Sequence, residues 1–218
     1  VDGSSEDVIR ANAWQMRQIL GRGVHGLLLC MAQTADAVRS FVEECRYPIT
    51  RIGIGEGLEE GRRGVGSEAD AMHIWGCSHD EYLRKCDPWP LNPNGELLLG
   101  LKIENVRGVS NSELSLSVPG VGFAEMGPGD LSMSMGFYPR PTELPPEMVA
   151  ARERIKNACK ANGIAFLSGG TAENLKERID EGMRISGASE DIATPRPQYT
   201  FATPCALPLL YRRPNSRA

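Results

Sequence analysis

Apolar and polar positions along the chain follow two rhythms that take turns. Ile9, Ala13, Trp14, Met16, Ile19 and Leu20 recur close to helical spacing and run into Gly21 and Gly23, which predicts a short helix over residues 10–20. Residues 26–31 (GLLLCM) form a compact apolar run between turn formers, the pattern of a buried strand. Thr34 then stands as an N-cap for a helix to residue 44, with Ala35, Val38, Phe41, Val42 and Cys45 on one face. The alternation resumes with a strand at 97–103, a helix after Asn105 and a strand at 121–124. Prolines interrupt residues 138–146, and the last two open a helix over 147–162 that Gly163 closes. A strand at 164–167, a helix capped by Thr171 and a strand at 183–185 follow.

Strand, helix, strand is the unit of a parallel sheet. Two stretches depart from it. Residues 47–96 collect Gly and Pro and read as a long loop with one short helix, of the kind that serves as a lid or binding loop. Within it GEGLEEG lacks the Lys and hydroxyl pair of a phosphate loop, Arg62 and Arg63 read as a solvated pair, and Trp75 and Trp89 as packing residues. From residue 192 prolines break every element, so residues 9–191 are expected to form one domain and 192–218 an irregular tail.

Composition narrows the classes of function. The chain has 218 residues, 41% of them hydrophobic, enough for a sizeable core. No apolar run approaches the ~20 residues of a membrane helix, and the opening VDGSSEDVIR lacks the plan of a signal peptide, so the expected compartment is cytoplasmic. A net charge of -4 with interspersed signs leaves no footprint for nucleic acid or for a membrane surface. A small molecule is the expected ligand. Cys30, Cys45, Cys77, Cys86, Cys159 and Cys205 form no CxxC pair and read as reduced and structural.

Candidate chemistry gathers between residues 97 and 136. Two apolar runs there each finish on an acid in a turn-forming context, Glu104 and Asp130. In a parallel sheet, and above all in an α/β barrel, ligands sit at the carboxyl ends of the strands, where both acids fall. Two such carboxylates suit a hard divalent cation with room for water and substrate. Such a cation would stabilise charge developing on the keto oxygen of a 2-oxo acid, making carbon–carbon cleavage beside it feasible. The turn Gly127-Pro128-Gly129-Asp130 offers backbone N–H groups to the substrate carboxylate. The plainer alternative is an ordinary turn with Asp as N-cap and a solvated glutamate. Lys102 fits an ion pair with a nearby carboxylate better than a Schiff base, and His25, His73 and His79 share no ligand spacing.

GVHGLLLCMAQTADAVRSFVEECRYP, GRRGVG, LKIEN followed by VPGVGFAEMGPGDLSMSMG, and GIAFLSGGTAENLKERIDEGMRISGAS, in that order, resemble the metal-dependent HpcH/HpaI aldolases related to the citrate lyase β subunit. The resemblance implies a (β/α)8 TIM-type barrel, here incomplete with about strands 4 to 8 present. It implies a divalent cation, Mg²⁺, Mn²⁺ or Co²⁺, on Glu104 and Asp130, and a 2-oxo acid touched by Lys102 and by the backbone of Gly129 and Asp130. It further implies aldol cleavage of a 4-hydroxy-2-oxo acid to pyruvate and an aldehyde by a homo-oligomer. The alternatives are a CoA-thioester lyase and a catalytically incomplete fragment. Lys102 stands where familiar members have glutamine, and Gly21 where they have aspartate. The family's catalytic histidine and an arginine have no counterpart, as though the chain began after the third strand.

Overall fold

A computed structural model describes residues 2–187. The expected irregular tail lies outside them, and so does the far end of the expected domain. The elements are α1 (Glu6–Ala11), α2 (Ala13–Gly21), β1 (Gly26–Leu29), α3 (Ala35–Cys45), α4 (Ala69–Trp75), α5 (His79–Lys85), β2 (Pro88–Trp89), β3 (Leu97–Ile103), α6 (Val106–Ser110), α7 (Ser112–Leu116), β4 (Phe123–Met126), α8 (Pro128–Ser134), α9 (Pro146–Ala161), β5 (Ala165–Leu167), α10 (Leu175–Asp180) and β6 (Met183–Ile185). All strands pair in parallel in the order β1-β3-β4-β5-β6, with β2 joined to the start of β3. Among the described residues this is a mixed α/β arc, five long-path strands with helices on one face, and β1 and β6 are its edges.

Pleating sorts β3 into two sets. Leu97, Leu99, Leu101 and Ile103 are fully buried in the core shared with α3, α7 and α9, whereas Leu98, Lys102 and Glu104 follow Gly100 along the opposite face. On that face Phe123 lies against Gly100, its register partner, where a Cβ would collide with the ring. One strand step onward come Lys102 and Glu125, also register partners, and then Leu167 beside Glu125. An apolar floor thus underlies a charged row at the carboxyl ends of the strands.

Thr34 caps α3 through its hydroxyl, as its position predicts, and Gly163 takes the left-handed conformation after α9. The first helix is two helices broken at Asn12, with Trp14 and Ile19 turned outward. Asn174, not Thr171, precedes α10; the Thr171 N–H donates back to Asn174 Oδ1 at 2.7 Å, which spends this turn on a loop closure.

The expected loop at 47–96 holds two helices, the second opened by a capping box of Ser78 and Glu81. Its anchors are buried cations. Arg46 and Asp87 pair twice, at 2.7 and 3.2 Å, and Asn92 donates to the same carboxylate at 3.1 Å. Arg63, far from being solvated, is buried; it donates to Cys86 Sγ and Tyr82 Oη at 2.9 Å each and lies 4.4 Å from the Tyr47 ring centroid. Arg62 is the exposed member, paired with Glu59. Trp75 stacks on His25 and is a packing residue, whereas Trp89 is half exposed.

Candidate active site at the carboxyl ends of β3 and β4

Glu104 directly follows β3 and is 2% exposed. Its backbone is fixed on both sides, because Asn105 caps α6 by accepting from the Gly108 N–H at 2.8 Å. Its Oε1 accepts from the Met31 N–H at 2.9 Å. Met31 reaches that position with φ 53, a left-handed conformation that costs a non-glycine residue about 1 kcal/mol. The strain sits where the end of β1 aims a backbone donor at the carboxylate.

Lys102 Nζ lies 3.0 Å from the other oxygen, Oε2. That approach is close but poorly aligned, so Oε2 is a buried acceptor with no hydrogen bond among the described residues. Contact with the carboxylate raises the Lys102 pKa against a smaller opposing effect of burial. Burial pushes the Glu125 carboxyl up, Lys102 pulls it back, and the Glu104 charge adds to the rise. Cys30, at the surface after β1, feels the same charges: partial desolvation of the thiol raises its pKa, Glu104 adds to this and Lys102 opposes it.

Gly127 closes the site from the β4 side. A Cβ there would stand 2.5 Å from Glu104 Oε2 and 2.8 Å from Lys102 Cε, so only glycine lets the backbone approach this closely. Gly127 precedes α8, in whose first turn Asp130 is exposed and makes no side-chain cap; the N-cap alternative for this aspartate does not hold. Ser134 of α8 accepts from the Val106 N–H at 3.1 Å, tying the Asp130 helix to the Glu104 turn.

The structure therefore brings Lys102 and Glu104 into contact and sets Asp130 three residues beyond the glycine that touches both. Sequence reasoning missed Glu125, although strict alternation in FAEM puts it on the face of Phe123 and level with Lys102. It also missed a cavity of about 330 Å³ beside Glu125, lined by Pro128, Arg140, Arg152, Ser168 and Arg178. Glu181 accepts from Arg152 and Arg178 at 2.8 and 2.9 Å, which holds its carboxyl pKa down to about 2. His25 stacks on Trp75, His79 pairs with Glu68 and His73 lies on α4, so these three histidines stand apart from the cluster.

For a divalent cation Glu104 offers a buried carboxylate oxygen lacking a hydrogen bond, in a cradle that a Cβ at Gly127 would fill. That carboxylate fits as one oxygen ligand of a hard cation, and Asp130 is an exposed acid in the first turn of α8. Among the described residues no group of three or more His, Cys, Asp or Glu is arranged to hold a metal, so further ligands would come from water or substrate.

Comparisons with known proteins bear on the family and the fold. The chain is 28% identical over 194 residues to the hydroxypyruvate/pyruvate aldolase of Roseobacter denitrificans, covering 87% of this chain and 68% of that protein. It is 33% identical over 185 residues to the 4-hydroxy-2-oxo-heptane-1,7-dioate aldolase of Shigella sonnei, covering 81% of this chain and 61% of the relative. Among solved structures, the HpcH/HpaI aldolase of Desulfitobacterium hafniense superposes with a TM-score of 0.62 at 21% identity, over 80% of this chain and 60% of that one. The fold is thus that of HpcH/HpaI aldolases, of which this arc spans a part. The family model described as HpcH/HpaI aldolase/citrate lyase matches residues 2–189. The chain belongs to the HpcH/HpaI aldolase/citrate lyase family.

Proposed function

We propose that this chain carries the cation-binding residues of a class II aldolase site, one that cleaves a 4-hydroxy-2-oxo acid to pyruvate and an aldehyde. The observation that carries the reading is Glu104: a buried carboxylate, anchored through Oε1 by a strained backbone donor, with Oε2 short of a hydrogen bond at the carboxyl end of a parallel strand. Glu104 and Asp130 are the proposed ligands, and Mg²⁺ or Mn²⁺ suits their all-oxygen character. A divalent cation bound there supplies Lewis-acid polarisation of the 2-oxo acid.

The protein's own contribution is orientation and charge. The Met31 N–H fixes the Glu104 rotamer, so that Oε2 faces the cluster. Gly127 brings the chain close enough for the N–H groups of Gly129 and Asp130 to receive the substrate carboxylate. Lys102 adds a positive charge beside the same substrate group. The cavity beside Glu125 is where the rest of the substrate fits.

Both relatives named above are aldolases, which favours this reading over a CoA-thioester lyase. The test is release of pyruvate from a 4-hydroxy-2-oxo acid by the full chain with added Mn²⁺. Activity is expected to require the metal and to vanish in Glu104→Ala and in Asp130→Ala; full activity in either variant would sink the assignment of ligands.

A further inference from the structure

Lys102 stands where a cation bound to Glu104 would have to stand. Its Nζ is 3.0 Å from Oε2, the carboxylate oxygen that lacks a hydrogen bond, while Oε1 is already taken by the Met31 N–H. The Lys102 stem passes the Gly127 backbone, where a Cβ would stand 2.8 Å from Cε. A second acid lies beside Lys102 on the same face. Glu125 is its register partner on β4, so their side chains leave the sheet side by side. Phe123 and Gly100 form the layer below and offer the ammonium no acceptor side chain.

We propose that Lys102 is a competing counter-ion built into the cation site, setting how tightly Glu104 holds a divalent cation, with Glu125 the carboxylate that receives the ammonium when it leaves Glu104. A buried carboxylate needs compensation, and two cations cannot share one oxygen without strong mutual repulsion. Binding a divalent ion therefore includes moving Lys102 to Glu125, and the affinity carries the cost of that exchange. Glu125 acts through Lys102 as a positioning residue. The inference rests on Glu104 being a ligand, and the two can fail separately.

The experiment is a calorimetric titration of the full chain with Mn²⁺ at neutral pH, with circular dichroism and thermal unfolding as the check on folding. Lys102→Gln is expected to tighten binding by about tenfold or more, with Lys102→Met, which keeps the volume, behaving alike. Glu125→Gln is expected to weaken binding roughly threefold to tenfold when Lys102 is present and to have no effect in Lys102→Gln, a coupling that a merely structural role would not produce. Unchanged or weaker binding in both Lys102 variants, with Glu104→Gln still abolishing it, overturns the competition and spares the ligand assignment. Equal effects of Glu125→Gln in both backgrounds overturn its role as acceptor. Binding that persists in Lys102→Gln/Glu104→Gln, or no saturable binding in any variant, overturns the ligand assignment and the inference with it.

Discussion

Arg46–Asp87 and Lys102–Glu104 are ion pairs built on equally buried carboxylates, at opposite ends of the same sheet. Asp87 precedes β2, and its carbonyl accepts from the Leu97 N–H where β3 begins. There both partners are 1% exposed, the guanidinium grips the carboxylate with two bonds, and Asn92 and the Ile52 carbonyl take up further valences. At the carboxyl end the cation is 29% exposed, its nearest oxygen is Oε2 at 3.0 Å, and that oxygen has no aligned hydrogen bond among the described residues. The first pair closes a structure. The second leaves unspent electrostatic capacity facing the open end of the strands, where substrates meet parallel sheets.

Breaking each pair separates the two roles. Asp87→Ala strands a buried guanidinium and should cost about 3–5 kcal/mol of unfolding free energy in a urea titration. A cost under about 1 kcal/mol would remove the contrast. Glu104→Gln keeps the shape and releases the part-exposed Lys102 toward Glu125, so stability should move by less than about 1 kcal/mol while Mn²⁺ affinity falls by roughly a hundredfold or more. Equal stability losses in the two variants would mean that both pairs are architectural.

Two smaller effects sharpen the picture. Gly127→Ala places a methyl 2.5 Å from Glu104 Oε2, and the strain should cost about 1–3 kcal/mol and weaken Mn²⁺ binding at the same time. Glu181 is an intermediate case, 24% exposed between Arg152 and Arg178. Its folded-state pKa of about 2 lies below the ordinary 4.5, so its stabilisation is present above about 4.5 and fades as pH falls toward 2. Glu181→Gln should therefore cost about 1 kcal/mol at pH 7, and the difference from the parent chain should shrink on acidification. A difference that grows at low pH would reverse the assigned sign.

Local signals made most of the frame legible. Thr34, the GLLLCM and LLLGLKI runs and Gly163 act within a few residues of where they stand, and they delimit the expected strands and helices. Glu104 was legible as an acid at a strand end, whereas Asp130 stands in the first turn of α8, and the ion pair of Lys102 followed from its place on a strand. What escaped depends on partners distant along the chain. Arg63 is buried by Tyr47, Tyr82 and Cys86, and nothing adjacent to it in GRRGVG announces aromatic rings. Within residues 47–96 the helix α5 opens on a local capping box of Ser78 and Glu81, a signal of a few residues in a stretch without a long apolar stripe. Glu125 went unnoticed because one acid in a short strand has no meaning until register places it beside Lys102.

The central claim is that Glu104 and Asp130 form one cation site at the open end of the sheet. Electron paramagnetic resonance of Mn²⁺ titrated into the full chain tests it most directly. One equivalent should lose its free-ion signal in the parent protein, and neither Glu104→Gln nor Asp130→Asn should bind at the same concentration. Full binding in either variant, with folding intact, would contradict the account.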